Sequence, residues 1–350
     1  MSGLSLAAVL GLFLVASIAT WLAGLVLADS TDALDRRFQF GEALGGLILL
    51  GFAGTLPEIA ITVSAAVTGN LGLATGNLLG GIAMQTLVLV LLDAVSRSRT
   101  PLTSLSTVLE PIVEALLVIL LLTIALFGHL LPASVAIGPV SPTSLVLVIV
   151  WFAGVLLLNR LRTSQGWRAV TEHVEAMMTV PAPPPTATSR RFAAASTGWL
   201  LVAFAGAAAC TLVAGVALER TGDELAGRWG FSGVVFGATI LAAVTALPEV
   251  SSGLQAIRLG RVGLAMGDVF GGNQVQLTLF LLADLVADQP VLQTVAPNTA
   301  WLGGAGVVVT AVYAVGLVVR PARKLLGIGP DSLLVLLAYL TALAGLVRIS

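Results

Sequence analysis

Residues 54–85 read GTLPEIAITVSAAVTGNLGLATGNLLGGIAMQ, and residues 245–276 read TALPEVSSGLQAIRLGRVGLAMGDVFGGNQVQ. The two stretches align at a constant offset of 191 without a gap. Over the wider window, 46–93 against 237–284, sixteen of 48 positions are identical. Chance would give about 4 or 5, at ~10% per position for the usual frequencies of Leu, Ala and Gly. The matches include Leu56-Pro57-Glu58 with Leu247-Pro248-Glu249, Gly76, Gly80 and Gly81 with Gly267, Gly271 and Gly272, Gln85 with Gln276, and Asp93 with Asp284. Self-similarity at a fixed spacing marks an internal duplication, and it decides the fold.

The chain around this duplication is built for lipid. Of its 350 residues 57% are hydrophobic and 10% charged, with 17 Lys+Arg and 18 Asp+Glu. A soluble chain of this length would carry roughly 90 charges. Mean hydropathy is +1.02. A bilayer-spanning helix needs about 20 mostly apolar residues, and the apolar runs supply ten such spans, near 4–27, 42–67, 71–94, 107–130, 142–160, 197–218, 232–257, 262–286, 299–319 and 332–348. Soluble enzymes, disordered chains and disulfide scaffolds are excluded. The net charge of −1 leaves no electrostatic footprint for nucleic acid. The single cysteine, Cys210, lies in an apolar run where a small buried residue is expected. The first span lacks a basic leader and a small-residue cleavage site, so it reads as a retained helix and not a signal peptide.

Ten spans place alternate loops on alternate sides of the membrane. Fourteen of the 17 basic residues fall in odd-numbered loops, from Arg36 and Arg37 through Arg97 and Arg99, the Arg160–Arg191 segment, Arg258 and Arg261, to Arg320, Arg323 and Lys324. Only Arg220, Arg228 and Arg348 lie elsewhere. Lys and Arg are retained in the cytoplasm, so both termini are expected outside and the 162–195 loop inside, in a multi-pass protein of the plasma (inner) membrane. That loop turns polar and then Pro-rich at Pro181, Pro183, Pro184 and Pro185, the composition of an extended linker. The expected organisation is a first five-helix repeat over 1–161, a cytoplasmic linker over 162–195, and a second five-helix repeat over 196–350. The duplicated segments occupy about 42–95 and 232–287. Five is odd, so the second half enters the membrane from the opposite side. Inverted repeats of this kind place a transport site near the midplane.

Glu58 and Glu249 fall deep within their spans, each directly after a proline. Proline lacks a backbone donor and clashes one turn back, freeing carbonyls near Ala53/Gly54 and Val244/Thr245. An intramembrane carboxylate is costly and is read as functional by default; the bland alternative is a protonated Glu bonded across a helix interface. Two such residues at matched positions favour a cation site. Gln85, Gln276, Asn77 (opposite Asp268) and Asn273 add hard amide oxygens suited to Ca²⁺ or Na⁺. The matched glycines allow close helix approach.

These segments resemble the paired alpha-repeats of the cation/calcium antiporter superfamily, which contains the sodium/calcium exchangers. The pattern there is approximately G-T-S-x-P-E in one helix and G-N-x-x-G-S-N-x-x-N in the next. This chain supplies Gly54-Thr55-Leu56-Pro57-Glu58 and Gly76 to Gln85, then Thr245-Ala246-Leu247-Pro248-Glu249 and Gly267 to Gln276. The resemblance implies an all-α membrane protein of ten helices in two inverted five-helix repeats. It further implies that Glu58 and Glu249, with Thr55, Thr245, Gln85 and Gln276, hold the transported cation. No cofactor is implied beyond the transported ions, Ca²⁺ and Na⁺ or H⁺. Four departures stand out: Gly81 and Gly272 replace serines, Gly54 a threonine, and Ala246 a serine. With glutamine at both later positions the centre holds two carboxylates, which suits about two monovalent ions per Ca²⁺.

Asn77, Asp268, Asn273, Asp93, Asp284, Glu110 and Glu114 are secondary candidates. Asp93 and Asp284 read as vestibule residues or as membrane-interface acids. Glu110 and Glu114 read as an acidic first turn complementing the helix dipole, or as a cytoplasmic funnel. His129 reads as an interface residue and His173 as a solvated one or a pH sensor. Trp21, Trp151, Trp199, Trp229 and Trp301 lie near span ends, as aromatic belts do. The expected partners are the lipid bilayer and small cations, in a monomer or weak homo-oligomer. The expected function is secondary antiport, Ca²⁺ export against Na⁺ or H⁺ by alternating access. Its alternatives are a cation/proton antiporter for another cation and a cation channel on the same repeat. Only two His and no nucleophile–base pair accompany the acids, so an enzyme is not expected.

Overall fold

In lipid each backbone polar group must find its partner within the chain, and helices do this segment by segment. The computed structural model of the protein describes residues 3–38, 51–96, 98–106, 108–163, 192, 194–258, 260–294 and 296–349. Regular structure there is helical, apart from two isolated antiparallel bridges, Ile137 with Val140 and Leu325 with Ile328. In chain order the helices are α1 (Leu6–Phe38), α2 (Gly51–Gly54), α3 (Leu56–Thr68), α4 (Leu71–Val95), α5 (Leu102–Leu105), α6 (Glu110–His129) and α7 (Pro142–Thr163). They continue as α8 (Thr197–Trp229), α9 (Gly233–Thr245), α10 (Leu247–Arg258), α11 (Val262–Ala287), α12 (Val291–Thr294), α13 (Asn298–Val319) and α14 (Pro330–Ile349).

Among the described residues eight helices are long and apolar enough to cross a membrane, or nine if α9 and α10, bent by 41° at Ala246, count as one span. This is a multi-pass, all-helical membrane protein. The second expected span begins among residues outside the described set, which also include Gly46, Leu50 and most of the 162–195 linker with His173. Its described part is α2 and α3, broken at Thr55.

Two boundaries differ from the sequence reading. The first and sixth spans were expected to end at 27 and 218, but α1 and α8 run on to Phe38 and Trp229, each 33 residues long. At 1.5 Å per residue each is about 50 Å long, well beyond the ~30 Å hydrocarbon layer. Charged residues end an apolar run without ending the helix, because helical hydrogen bonds persist once the chain leaves the hydrocarbon. Cys210 is a further correction: it is exposed. In a membrane helix the apolar outward face meets lipid, so apolarity alone does not imply burial within the protein.

The long helices α1 and α8 pack against each other along one side of the molecule. The core is formed by α4 and α11, whose apolar windows are 72% and 61% buried, against 22–50% for the other full-length spans. Both are hydrophobic around most of their circumference, as central helices must be. The hairpin α6–α7 lies on α11, and α14 lies on α4, so the last helix of each half packs on the central helix of the other.

Two aspartates pin this exchange. Asp93, at the end of α4, accepts from the Leu102 N–H (2.9 Å), the Gly329 N–H (2.6 Å) and the Ser332 hydroxyl (3.0 Å), and lies 3.2 Å from Lys324 Nζ. Asp284, at the end of α11, accepts from the Val291 N–H (2.7 Å), the Ser141 N–H (2.9 Å) and the Ser144 hydroxyl (2.7 Å). Each carboxylate satisfies donors at the starts of two helices, one from either half, where N–H groups lack intrahelical partners.

Candidate functional site

The two proline-bearing helices break where the missing donors predict. The turn at Thr55 separates α2 from α3, and the turn at Ala246 separates α9 from α10. One wide π-type turn, Gly237–Leu241, precedes the second break. The Thr55 hydroxyl donates to the Phe52 carbonyl and the Thr245 hydroxyl to the Ala242 carbonyl, both at 3.3 Å. Thr55 thus stands at its break and Thr245 one residue before its own, each bonded back to the carbonyl three residues earlier. The broken helices cross over: α2 and α3 pack on α11, and α9 and α10 pack on α4.

Between them lie the glutamates. Glu58 is 1% exposed and Glu249 7%. Neither oxygen of Glu58, nor Oε2 of Glu249, has a hydrogen-bond partner among the described residues. The Thr245 hydroxyl stands beside Glu58, and the charges of Glu58 and Asp268 both bear on Glu249. Asp268 is half-buried and accepts from the Ser252 hydroxyl at 2.5 Å. Buried polar atoms are almost always partnered, and exceptions need an explanation such as an ion. Among the described residues no three His, Cys, Asp and Glu side chains converge on a point, so a cation here would rest on two carboxylates and neutral oxygens.

Such oxygens are present. Asn77 and Asn273 are fully buried, and neither their carbonyl nor their amide atoms find partners among the described residues. Gln85 and Gln276 meet across the α4–α11 contact, with Gln85 Nε2 donating to Gln276 Oε1 at 3.3 Å. Gln276 Nε2 donates to the Asn77 and Leu78 carbonyls at 3.1 and 2.8 Å. The Gln276 head group is therefore engaged, while Gln85 Oε1 is left as an acceptor without a donor among the described residues. Gly81 makes this possible, since a Cβ there would lie 2.5 Å from Gln276 Nε2. The departure of Gly81 from serine and the presence of glutamine at 276 are one structural fact.

The secondary candidates separate. Asp93 and Asp284 are caps, as described above, with their oxygens taken up by helix-start donors. Glu110 is half-buried in the first turn of α6, but Glu114, one turn on, is 1% exposed. A Cβ at Gly267 would lie 3.4 Å from Glu114 Oε2, so this carboxylate packs against α11 at Gly267. Reading the pair as one acidic first turn therefore describes Glu110 only. His129 Nδ1 lies 2.7 Å from the Leu292 carbonyl.

Two features were not read from the sequence. Glu219 on α8 is fully buried and accepts from Ser64 (2.7 Å), Thr68 (3.1 Å) and Asn70 (2.9 Å), fastening the end of α3 to α8. The other is a glycine pair. A Cβ at Gly24 would lie 2.8 Å from Pro248 Cγ, and one at Gly215 would lie 2.5 Å from Ala60 Cβ and 3.0 Å from the Pro57 carbonyl. Each long helix thus seats the proline break of the other half on a glycine. Gly24 and Gly215 are themselves 191 residues apart, a signal that was legible.

Comparison with known proteins follows this geometry. The family model described as sodium/calcium exchanger protein matches residues 8–160 and 199–348. CaxA of Alkalimonas amylolytica is 26% identical over 271 residues, covering 72% of this chain and 75% of that protein. The inner membrane protein YrbG of Escherichia coli (strain K12) is 26% identical over 258 residues, covering 73% and 72%. Among solved structures the H⁺/Ca²⁺ exchanger CAX superposes with a TM-score of 0.69 at 15% identity, over 98% of this chain and 86% of that one. The sodium-calcium exchanger NCX_Mj, soaked with Na⁺ and Sr²⁺, superposes with a TM-score of 0.57 at 18% identity, over 96% and 97%.

Proposed function

The chain belongs to the sodium/calcium exchanger protein family, and on that footing we propose that it is a secondary antiporter moving Ca²⁺ against Na⁺ or H⁺. The family is one of transporters and not of enzymes. The observation that carries the reading is the pair Glu58 and Glu249: buried carboxylates that, among the described residues, have no hydrogen-bonded partner at Glu58 or at Glu249 Oε2, each one turn from a helix break, in the two halves of a duplicated chain. Similar folds in CAX and NCX_Mj support it.

In this proposal the ten spans form two inverted five-helix repeats, both termini face outward, and the membrane is the inner (plasma) membrane. The cation is held by Glu58 and Glu249, with Thr55, Thr245 and the Gln85 carbonyl as neutral ligands. Asn77 and Asn273 stand in reserve, and Gln276 orients Gln85. Two carboxylates balance one Ca²⁺ or two monovalent ions, so exchange near two monovalent charges per Ca²⁺ is electroneutral. Alternating access follows from the packing: α1 and α8 rest on the proline breaks through Gly24 and Gly215, and a shift of these long helices exposes the glutamates to one side and then the other. The tightly enclosed pair favours an occluded site over a channel, whose sites must release ions readily.

Ca²⁺ uptake into proteoliposomes under a Na⁺ gradient, and then under a pH gradient without Na⁺, tests this. Uptake is expected under at least one gradient and is lost in Glu58→Gln and in Glu249→Gln with the fold retained. Uptake under neither gradient refutes antiport of Ca²⁺. Retained uptake in either variant removes that residue from the site, and net entry of one charge per Ca²⁺ refutes the stoichiometry.

A further inference from the structure

A second group of buried oxygens lies where the end of α4, α5, the end of α13 and the start of α14 meet. Asp93 is satisfied there by three donors and Lys324. Its neighbour Asp331 is not: it is 6% exposed, and neither carboxylate oxygen has a hydrogen-bond partner among the described residues. The Tyr313 hydroxyl, fully buried, and the Thr103 hydroxyl, 1% exposed, also lack partners. Tyr313 faces both aspartates, and Thr103 stands beside Asp331.

Glycines hold the space open. A Cβ at Gly316 would lie 2.5 Å from Asp331 Oδ2. A Cβ at Gly329 would collide with Asp331 Oδ1 and come within 3.2 Å of Asp93 Oδ2. Both oxygens therefore lie within 3.2 Å of one point and no more than twice that distance apart. Oxygens that share one cation with bonds of 2.3–2.6 Å are up to about 5 Å apart, a separation within the bound that Gly329 sets on this pair.

The matching hairpin shows that the architecture does not require this acid. Gly128 backs Thr143 as Gly316 backs Asp331, and Ser144 bonds Asp284 as Ser332 bonds Asp93. Where the second hairpin has Asp331 and Tyr313, the first has Thr143 and Ala125. The phenol and the carboxylate are additions at one end only. Lys324 answers Asp93, and the Arg320 guanidinium donates to the Ser106 carbonyl. The charge that bears on Asp331 is that of Asp93. With Asp93 paired to Lys324, Asp331 keeps its own negative charge, with no cation paired to it among the described residues and with hydroxyl and carboxylate oxygens around it, all hard ligands. A divalent ion would leave a net positive charge in a buried place, which is unfavourable.

We propose that Asp331, Tyr313, Thr103 and Asp93 Oδ2 form a binding site for a single monovalent alkali cation, Na⁺, separate from the glutamate pair. The site does not depend on the transport reading, because none of its residues belongs to the central group.

The test is thermal unfolding of the full-length, detergent-solubilised Glu58→Gln/Glu249→Gln protein, in which the central carboxylates are neutral, with Na⁺ replacing choline at constant ionic strength. Na⁺ is expected to raise the midpoint by about 2 °C at tenfold saturation, and adding Asp331→Asn should abolish the rise. Tyr313→Phe should weaken the apparent Na⁺ affinity about fivefold, one neutral hydrogen-bond-sized ligand. Should the double variant not purify, the same titration on the parent chain should lose one Na⁺ phase on Asp331→Asn. An unchanged Na⁺ shift in Asp331→Asn, no Na⁺-specific shift, or a shift that follows pH and not Na⁺ overturns the proposal.

Discussion

Gly81 and Gly272 occupy equivalent places in the duplicated motif, yet the structure gives them different neighbours. A Cβ at Gly81 would stand 2.5 Å from Gln276 Nε2, whereas the Gln85 atom nearest a Cβ at Gly272 is Oε1 at 3.8 Å, ordinary contact. In Gly81→Ala the flexible Gln276 head must swing away and surrender its bonds to the Asn77 and Leu78 carbonyls. At about 1 kcal/mol net per bond the loss is about 2 kcal/mol. Alanine in a helix interior also regains up to about 1 kcal/mol over glycine, but that gain is common to both sites and cancels in a double-mutant cycle. The coupling of Gly81→Ala with Gln276→Ala should therefore be about 2 kcal/mol, and that of Gly272→Ala with Gln85→Ala under about 0.5 kcal/mol. Unfolding entropy of roughly 2.1 cal/mol/K per residue makes each kcal/mol about 1.4 °C in a chain of this length, so the first coupling reads as about 3 °C. Thermal unfolding of the six variants and the parent in detergent measures it. Equal couplings in the two cycles, or a first coupling below about 0.5 kcal/mol, would refute the argument.

Other perturbations have different signatures. Asp284→Asn turns one acceptor into a donor facing the Ser141 and Ser144 donors; the unfolding midpoint should drop by about 3–4 °C, from about 2–3 kcal/mol of charge-assisted bonding, and a change below about 1 °C would show that the caps matter little. Gly215→Ala presses a methyl against Ala60 and the Pro57 carbonyl, costing about 1–3 kcal/mol and slowing Ca²⁺ uptake. Gly206→Ala on the same helix, with open space around it, is the control and should do neither. Pro57→Ala returns an N–H toward the Ala53 carbonyl, so the midpoint should hold or rise while Ca²⁺ uptake falls about tenfold or more; uptake at the parent rate would show that the break has no role in transport.

The glutamates were legible because charge is scarce in this chain, so two acids recurring with their prolines at one offset cannot pass for background. The breaks at Thr55 and Ala246 were legible for a similar reason, since a missing donor acts within one turn and needs no tertiary knowledge. Asp93 and Asp284 were only half legible. Their match showed that they matter, but their donors at Ser141 and Gly329 are more than a hundred residues away in sequence. Glu114 looked like a first-turn acid because proximity to Glu110 is visible in the chain, whereas packing on α11 is not. Cys210 misled because hydropathy does not distinguish lipid from protein.

Composition and the offset of 191 determined that this is a membrane protein with an internal duplication, because hydrophobicity and self-similarity are both properties of the chain as a string. The tertiary structure decided which matched residues do equivalent things. It seated each proline break on the glycine of the other half, gave Gln276 the space that Gly81 vacates, and left Gln85 Oε1 without a donor among the described residues. It also set Asp331 opposite Asp93 with no counterpart at the other end. Identity between repeats is written in one dimension, but each side chain's partners come from helices distant in sequence, and two halves that match residue for residue can still meet different neighbours.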